Sequence, residues 1–453
     1  MDHLEVFWWL KSFHVYSILI FIMFSLFSLI FYIVRLKLWC NCEICHTYIT
    51  TSWSSQFINL CDWYTHLLQE SPTRAIHIHV LGNIITSNPQ NVEYMLKTRF
   101  ENYPKGKTFS TILGDFLGRG IFNVDGDLWR FQKRMSSLEL GKFSIRSYAF
   151  EVVKNEIDKR LLPLLDDKQA ERAMTTSHIV WKIKRFLNIG SEKKLREAIK
   201  VINILAQEVI RQKRKLGFSN HRDLLSRFMG SISDETYLRD IVISFLLAGR
   251  DTTASALTSF FYVIANHPEV AKSIREEADR VLGPNKDLTS YEQMSELHYL
   301  QASIYESMRL YPPIQFDSKF CLEDDVLPDG TFVKKGTRVT YHPYAMGRMK
   351  ELWGCDSFEF KPERWLKDGI FFQENPFKYP VFQAGLRVCL GKEMALIELK
   401  SVALSLLRRF HVELAQPYHH APRFFPGLTA SFSGGLLVLV RKISPEFVNV
   451  YSE

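Results

Sequence analysis

One ten-residue stretch carries the densest chemistry in the chain: Phe382-Gln-Ala-Gly385-Leu-Arg387-Val-Cys389-Leu-Gly391, set just before an apolar, helix-patterned segment. A cysteine there has its sulfur near the backbone N–H groups left free at a helix start and near the positive end of the helix dipole. Both favour thiolate over thiol, and the thiolate is the form that ligates metals. Gly385 and Gly391 let the backbone approach a flat group closely, and Arg387 can pair with a carboxylate on its rim. These are the requirements of a thiolate ligand to haem iron. The plainer reading makes Cys389 a small buried hydrophobe, as most free cysteines are. Taken alone, Cys389 would be read that way.

Other constellations are bland one at a time. Ala248-Gly249-Arg250-Asp251-Thr252-Thr253 lies midway along a long apolar segment, where a Thr usually packs or bonds back to its own helix. Glu306 and Arg309 have i,i+3 spacing, which most often means a surface pair of ~0.2–0.5 kcal/mol. Pro362-Glu363-Arg364-Trp365 offers a second Arg, and Trp129 with Lys133 an aromatic and a cation one helical turn apart.

Helical periodicity must position most of these residues. The spacing predicts one long helix over Thr236–Asn266, ended by His267-Pro268, with Pro268 opening another that runs to Gly283. A further helix is expected over about Ser295–Leu310, stopped by Pro312-Pro313, and a last one over Leu390–Phe410, followed by a hairpin at Gly434-Gly435. Arg74–Asn88 alternates apolar and polar residues around Leu81-Gly82-Asn83 and reads as a β-hairpin. Asn88-Pro89 supplies an N-cap and first-turn Pro for a helix carrying Val92, Met95 and Leu96. Asp329-Gly330 and Lys335-Gly336 mark turns between short strands. Helices outweigh strands, so the fold class is mainly α with a small β-sheet region.

Val15–Val34 is free of charge; at ~1.5 Å per residue such a helix spans the ~30 Å of a bilayer core. It runs into Arg35, Lys37 and Trp39 rather than small residues, which favours a retained anchor over a cleaved signal peptide. The basic flank after it puts the rest of the chain in the cytosol. Two regions follow, an anchor over 1–35 and a cytosolic domain over 36–453. Fifty-seven Lys and Arg against 49 Asp and Glu give a diffuse charge of +8. Without a basic block this argues against nucleic acid and for a membrane surface or an acidic partner. Seven Cys in so long a chain make no disulfide scaffold.

Taken together and in order, these motifs resemble the cytochrome P-450 superfamily. The stretch from Phe382 to Gly391 matches the signature Phe-x-x-Gly-x-Arg-x-Cys-x-Gly at every fixed position, and Ala248–Thr253 resembles the oxygen-activation motif. Glu306 to Arg309 resembles the Glu-x-x-Arg motif, with Arg364 as its third member, and Lys133 stands where Arg is commoner after Trp129. The resemblance implies haem b between the long helix and the Cys-loop helix, with Cys389 as the axial thiolate to iron. It implies a propionate grip by Trp129, Lys133 and Arg387, and cofactor contacts from Phe382, Gly385, Gly391 and Gly249. It also implies a proton relay of Asp251 and Thr252, for which the helix bends or opens at Thr252, and a structural cluster of Glu306, Arg309 and Arg364 bracing the Cys loop. O2 and an NADPH-cytochrome reductase at the endoplasmic reticulum membrane are the implied partners. Lys133, Arg134, Lys392, Lys400, Arg408 and Arg409 are candidates for the docking face. The stretch from Glu306 to Arg364 is similar to plant fatty-acid ω-hydroxylases, and Cys42–His66 and Asn102–Asp127 to the branch that oxidises jasmonoyl-isoleucine. The expected substrate is therefore amphipathic. By position Phe109–Phe122, Phe245, Leu246, Ile314–Phe316 and Phe432 could line its channel.

Several signals are set aside. Cys42-Glu-Ile-Cys45-His46 matches the c-type haem attachment pattern, and a zinc site adding Cys40 lacks a second ligand cluster downstream. His77 and His79 flank Ile78 and could chelate metal, but the spacing reads first as the solvated face of an amphipathic strand. One departure from the family matters: Trp129 and Ala248 are 248 − 129 = 119 residues apart, several tens short of the family's usual spacing. The apparent join is near Leu165–Gln169. Two rivals follow, a haem-thiolate isomerase or dehydratase needing neither O2 nor reductase, and a non-catalytic membrane-anchored remnant.

Overall fold

The computed structural model describes residues 2–35, 40, 42–141, 143–156, 191–217, 223–284, 286, 288, 290–415, 422–425 and 427–443. The expected join near 165–169 lies outside them. The chain divides into two compact units, one of Met1–Gln56 with His77–Asn83, the other of Phe57–Ile76 with Ile84–Glu453.

In the smaller unit the first helix runs Asp2–Arg35 and a second runs Glu43–Thr50. The large apolar side chains described between Tyr16 and Tyr32 are exposed. The membrane span expected over Val15–Val34 is covered by the first helix, but among the described residues no helix is long and apolar enough to cross a membrane.

In the larger unit the long helix spans Glu235–Asn266. It starts where the Asp234 carboxylate accepts the N–H groups of Thr236 and Tyr237, at 2.9 and 3.1 Å. It stops at His267 because Pro268 occupies the first position of the next helix, Pro268–Leu282. These two helices, His298–Leu310 and Lys392–Leu407 share one core, with Phe260, Ile274, Ile304, Tyr305, Trp365 and Leu404 all 2% exposed or less. Burying each such side chain stabilises by ~1.5–3 kcal/mol. The helix expected from about Ser295 to Leu310 starts three residues later, as His298–Leu310, with Tyr291–Ser295 a separate short piece before it. The reason is tertiary: the buried Glu277 carboxylate caps the second piece, accepting from the N–H groups of Tyr299 (2.6 Å) and Leu300 (2.9 Å).

A four-stranded sheet has neighbours in the order Ala75–Ile78, Asn83–Thr86, Arg338–Tyr341, Asp317–Phe320. The hairpin around Gly82 is as expected, with Gly82 left-handed at φ +53. So is the Asn88 cap, whose side chain accepts from Gln90 N–H at 3.0 Å. Val92, Met95 and Leu96 pack with Val339, Tyr341 and Ala384 in a second core. Gly434-Gly435 turns no hairpin. It links Ser431–Phe432, paired with Phe424–Phe425, to Val438–Lys442, which returns to pair with Phe410–Leu414.

Candidate active site

The Cys loop is held from both cores. Ala384 is fully buried in the second core, while Phe382 packs on the first, 6.0 Å ring to ring from Tyr305. Gln383 has φ +61, a left-handed strain that its side chain offsets by donating to Asp317 Oδ2 at 3.0 Å and accepting from the Tyr341 hydroxyl. Gly385 is required outright: its φ is +55 and a Cβ there would overlap the Leu96 carbonyl. The loop closes by Cys389 N–H donating to Phe382 O at 2.8 Å, and the helix begins at Lys392 with Gly391 as its cap.

Cys389 is reached by solvent yet sits in a recess, so desolvation, the largest influence, pushes its thiol up; the Gly391 N–H, Lys133 and Lys392 oppose that. The Gly391 N–H at the helix start works in the direction the sequence implied, toward thiolate. A metal cation at the sulfur would supply the remaining stabilisation.

Trp129, Lys133 and Arg387 are brought together. The Arg387 guanidinium stacks 4.1 Å from the buried Trp129 ring and donates to Asp125 Oδ1 at 2.6 Å. Lys133 Nζ donates to Val388 O at 2.7 Å, and desolvation lowers its pKa to about 8. Arg387 Nε and Nη1 are buried without a partner. Two buried guanidinium donors left open beside a tryptophan and a lysine fit the anionic rim of haem, and the recessed sulfur of Cys389 fits its iron. A Cβ on Gly249 would meet no atom within 4 Å, which leaves room for a flat group against that helix.

Asp251 and Thr252 lie in the long helix, which runs unbroken through both. The local opening expected at Thr252 is not seen. Instead its hydroxyl donates to Ala248 O at 2.6 Å, so that side chain can only accept from anything else. Asp251 is 37% exposed, 3.8 Å from Arg250.

The Glu306 cluster is not a surface pair. Both partners are fully buried, with Arg309 Nε and Nη2 donating in parallel to the two carboxylate oxygens at 2.7 and 2.8 Å. Arg364 Nε, Trp365 Nε1 and Lys361 N–H also donate to Glu306, at 3.2, 2.8 and 3.0 Å. Trp365 and Tyr379 then pass the support toward the Cys loop, since the Tyr379 hydroxyl donates to Tyr305 O at 3.0 Å and Tyr305 meets Phe382.

Two docking candidates are corrected. Lys400 is 3% exposed and donates to Met294 O, and Arg408 is spent on Asp279 and the Gly283 and Lys286 carbonyls. Among the channel candidates, Leu246 and Phe316 are exposed, whereas Phe432 packs on Tyr262 and Phe424. Sequence reasoning missed Asp125, which receives Lys105 and Gly106 N–H as well as Arg387, and Asp317, which ties Lys319, Tyr341 and Gln383 together. Asp317 and Lys319, two apart in a strand, share a face, a signal that could have paired them.

Comparison with known proteins bears on this arrangement. Cytochrome P-450 94C1 of Arabidopsis thaliana is 53% identical over 492 aligned positions, covering 96% of this chain and 99% of that protein. The alignment is thus longer than the chain's 453 residues. Cytochrome P-450 94A1 of Vicia sativa is 38% identical over 84% of this chain and 86% of its own. The crystal structure of the cytochrome P-450DA heme domain superposes with a TM-score of 0.69 at 21% identity, covering 85% of this chain and 92% of that one, which speaks for the fold alone. The family description "Cytochrome P-450" matches residues 149–429, more than half of the chain. Such a match, with relatives this similar along most of their lengths, makes the chain a member of the cytochrome P-450 family, oxidoreductases that work as monooxygenases on haem iron held by a cysteine thiolate, with O2 and electrons from a redox partner.

Proposed function

We propose that this chain hydroxylates the terminal or near-terminal carbon of an amphipathic substrate, a fatty acid or a jasmonoyl amino-acid conjugate such as jasmonoyl-isoleucine. The observation that carries the reading is the Cys389 loop, with its recessed sulfur and the unanswered Arg387 donors beside it. Cys389 would ligate iron, and Arg387, Lys133 and Trp129 would hold the carboxylate edge of haem. Bound there, haem supplies the iron on which O2 is activated toward a C–H bond. Thr252, its proton committed to Ala248, would accept a hydrogen bond from a protonated group bound beside it, and the part-exposed Asp251 would exchange protons with solvent. Exposed Leu246 and Phe316 offer apolar surface for a substrate tail.

The reading extends to place and partner. The uncharged stretch Val15–Val34 and its exposed apolar side chains support a single-pass anchor in the endoplasmic reticulum membrane, with the catalytic part cytosolic. Electrons would come from an NADPH-cytochrome reductase meeting Lys133, Arg134 and Lys392. An internal shortening near 165–169 would leave a smaller roof over the substrate. Microsomes carrying the chain, given reductase, NADPH and either laurate or jasmonoyl-isoleucine, test all of this by product identification. NADPH-dependent hydroxylation of either is expected. Haem-loaded protein that gives no such product, or that turns over a fatty hydroperoxide without NADPH, refutes the reading, the latter in favour of an isomerase or dehydratase.

A further inference from the structure

Within the smaller unit, Cys40, Cys42, Cys45 and His79 converge so that their ligand atoms all lie within 4.8 Å of one another. His79 Nδ1 is 3.5 Å from the sulfurs of Cys40 and Cys42 and 4.0 Å from that of Cys45, and the first two sulfurs are 3.2 Å apart. Zinc holds sulfur at about 2.3 Å and imidazole nitrogen at about 2.0–2.1 Å in a tetrahedron, so its ligand atoms sit roughly 3.5–3.8 Å from each other. Those spacings bracket that range, and with every ligand atom within 4.8 Å of the others the donors need close by no more than about 1 Å to meet it.

A second feature points to metal. Backbone N–H groups are directed at the sulfurs: Cys42 N–H at Cys40 Sγ (3.4 Å), Cys45 N–H at Cys42 Sγ (3.4 Å) and Val80 N–H at Cys45 Sγ (3.5 Å). Donors so placed stabilise thiolate charge, and outer partners of this kind orient metal ligands. The helix Glu43–Thr50 arranges the pair, since Cys42 is its N-cap and Cys45 lies in its first turn, fully buried. Nδ1 is the ring nitrogen that faces the sulfurs, and a metal bound through it would leave the His79 proton on Nε2. The c-type attachment pattern is not assembled, because the group is completed by His79 rather than His46.

We propose that Cys40, Cys42, Cys45 and His79 form a structural zinc site, four protein ligands with no open position, which cross-links the segment just after the first helix to the tip of the hairpin at residue 79. The sequence concealed it because the fourth ligand comes from a strand-end histidine 34 residues beyond Cys45. Three soft thiolates and one imidazole select zinc over calcium or magnesium.

The full-length protein, purified in detergent with its haem, should carry about one zinc per chain by elemental mass spectrometry. C42S/C45S should fall to below about a tenth of that at unchanged haem content, while C355S, which removes an exposed thiol elsewhere, should keep its zinc. Cobalt-grown native protein gives a readout independent of the double variant's folding. Sulfur-to-cobalt charge-transfer absorption with intense tetrahedral visible bands is expected, and H79N should shift those bands. Equal trace zinc in native protein and C42S/C45S, a cobalt spectrum without charge transfer, or intact-mass loss of two hydrogens mapping to a disulfide among Cys40, Cys42 and Cys45 would each overturn the site.

Discussion

Around Glu306 the charged groups are answered and the central pair is fully buried, the carboxylate met by two guanidiniums, an indole and a backbone N–H, and Arg309 in addition by the carbonyls of Ser357 and Glu359. Along Gly249–Thr252 the polar groups are part-exposed and little paired: Gly249 has open space, Asp251 only a distant Arg250, Thr252 one bond to its own helix. Paired buried charge is weak as a source of net stability but severe when one partner is lost. The first region thus fixes geometry, and the second is left free to meet something that is not protein.

Changes that break this contrast should have graded effects. Cys389→Ala should be the largest, abolishing both product formation and the reduced carbon monoxide spectrum of thiolate-bound haem; an unchanged spectrum would mean that another residue ligates the iron. Glu306→Ala leaves the fully buried Arg309 guanidinium without its carboxylate and should cost about 3–5 kcal/mol, read as a lowered denaturant midpoint with loss of haem. A loss below 1 kcal/mol would show that the cluster is replaceable.

A buried histidine elsewhere in the larger unit makes stability depend on pH. Burial, with Arg348 nearby, holds His342 down to about 3 from an ordinary 6.5. Between those values the unfolded chain takes up a proton that the folded chain refuses. Stability is therefore complete above pH 6.5 and declines as pH falls through the window, by up to ~1.4 kcal/mol per pH unit. Thermal unfolding of His342→Asn should lose that part of the acid slope; an identical slope would acquit His342. Smallest in stability should be Thr252→Ala, with unfolding shifted by less than about 0.5 kcal/mol. Its effect belongs to chemistry, with reducing equivalents diverted to hydrogen peroxide at retained haem. Undiminished product yield would remove Thr252 from the proton path.

What could be read beforehand follows the range of the interactions. The Asn88 cap, the Gly82 turn, the Pro268 start and the Cys loop are local, written within a few neighbouring residues, and they appear as expected. The break at Leu297 depends on Glu277 from another helix, and the destination of Val438–Lys442 on a strand ending at Leu414. Neither has a local trace. Lys400 and Arg408 looked like surface charge because composition is silent on which face of a helix is covered; one is sealed against Met294, the other against Asp279. The motif matches brought Trp129, Lys133 and Arg387 to notice but not Asp125, whose two backbone donors come from a loop twenty residues earlier.

The open Nε and Nη1 of Arg387 have a consequence for the life of the molecule. A buried donor without a partner weakens the fold by ~1–3 kcal/mol, and a ligand that binds only the folded form restores stability by mass action. Chains made faster than porphyrin is delivered would then be the ones cleared by proteolysis, so the cell's supply of pigment, not its rate of translation, would set how much of this protein accumulates.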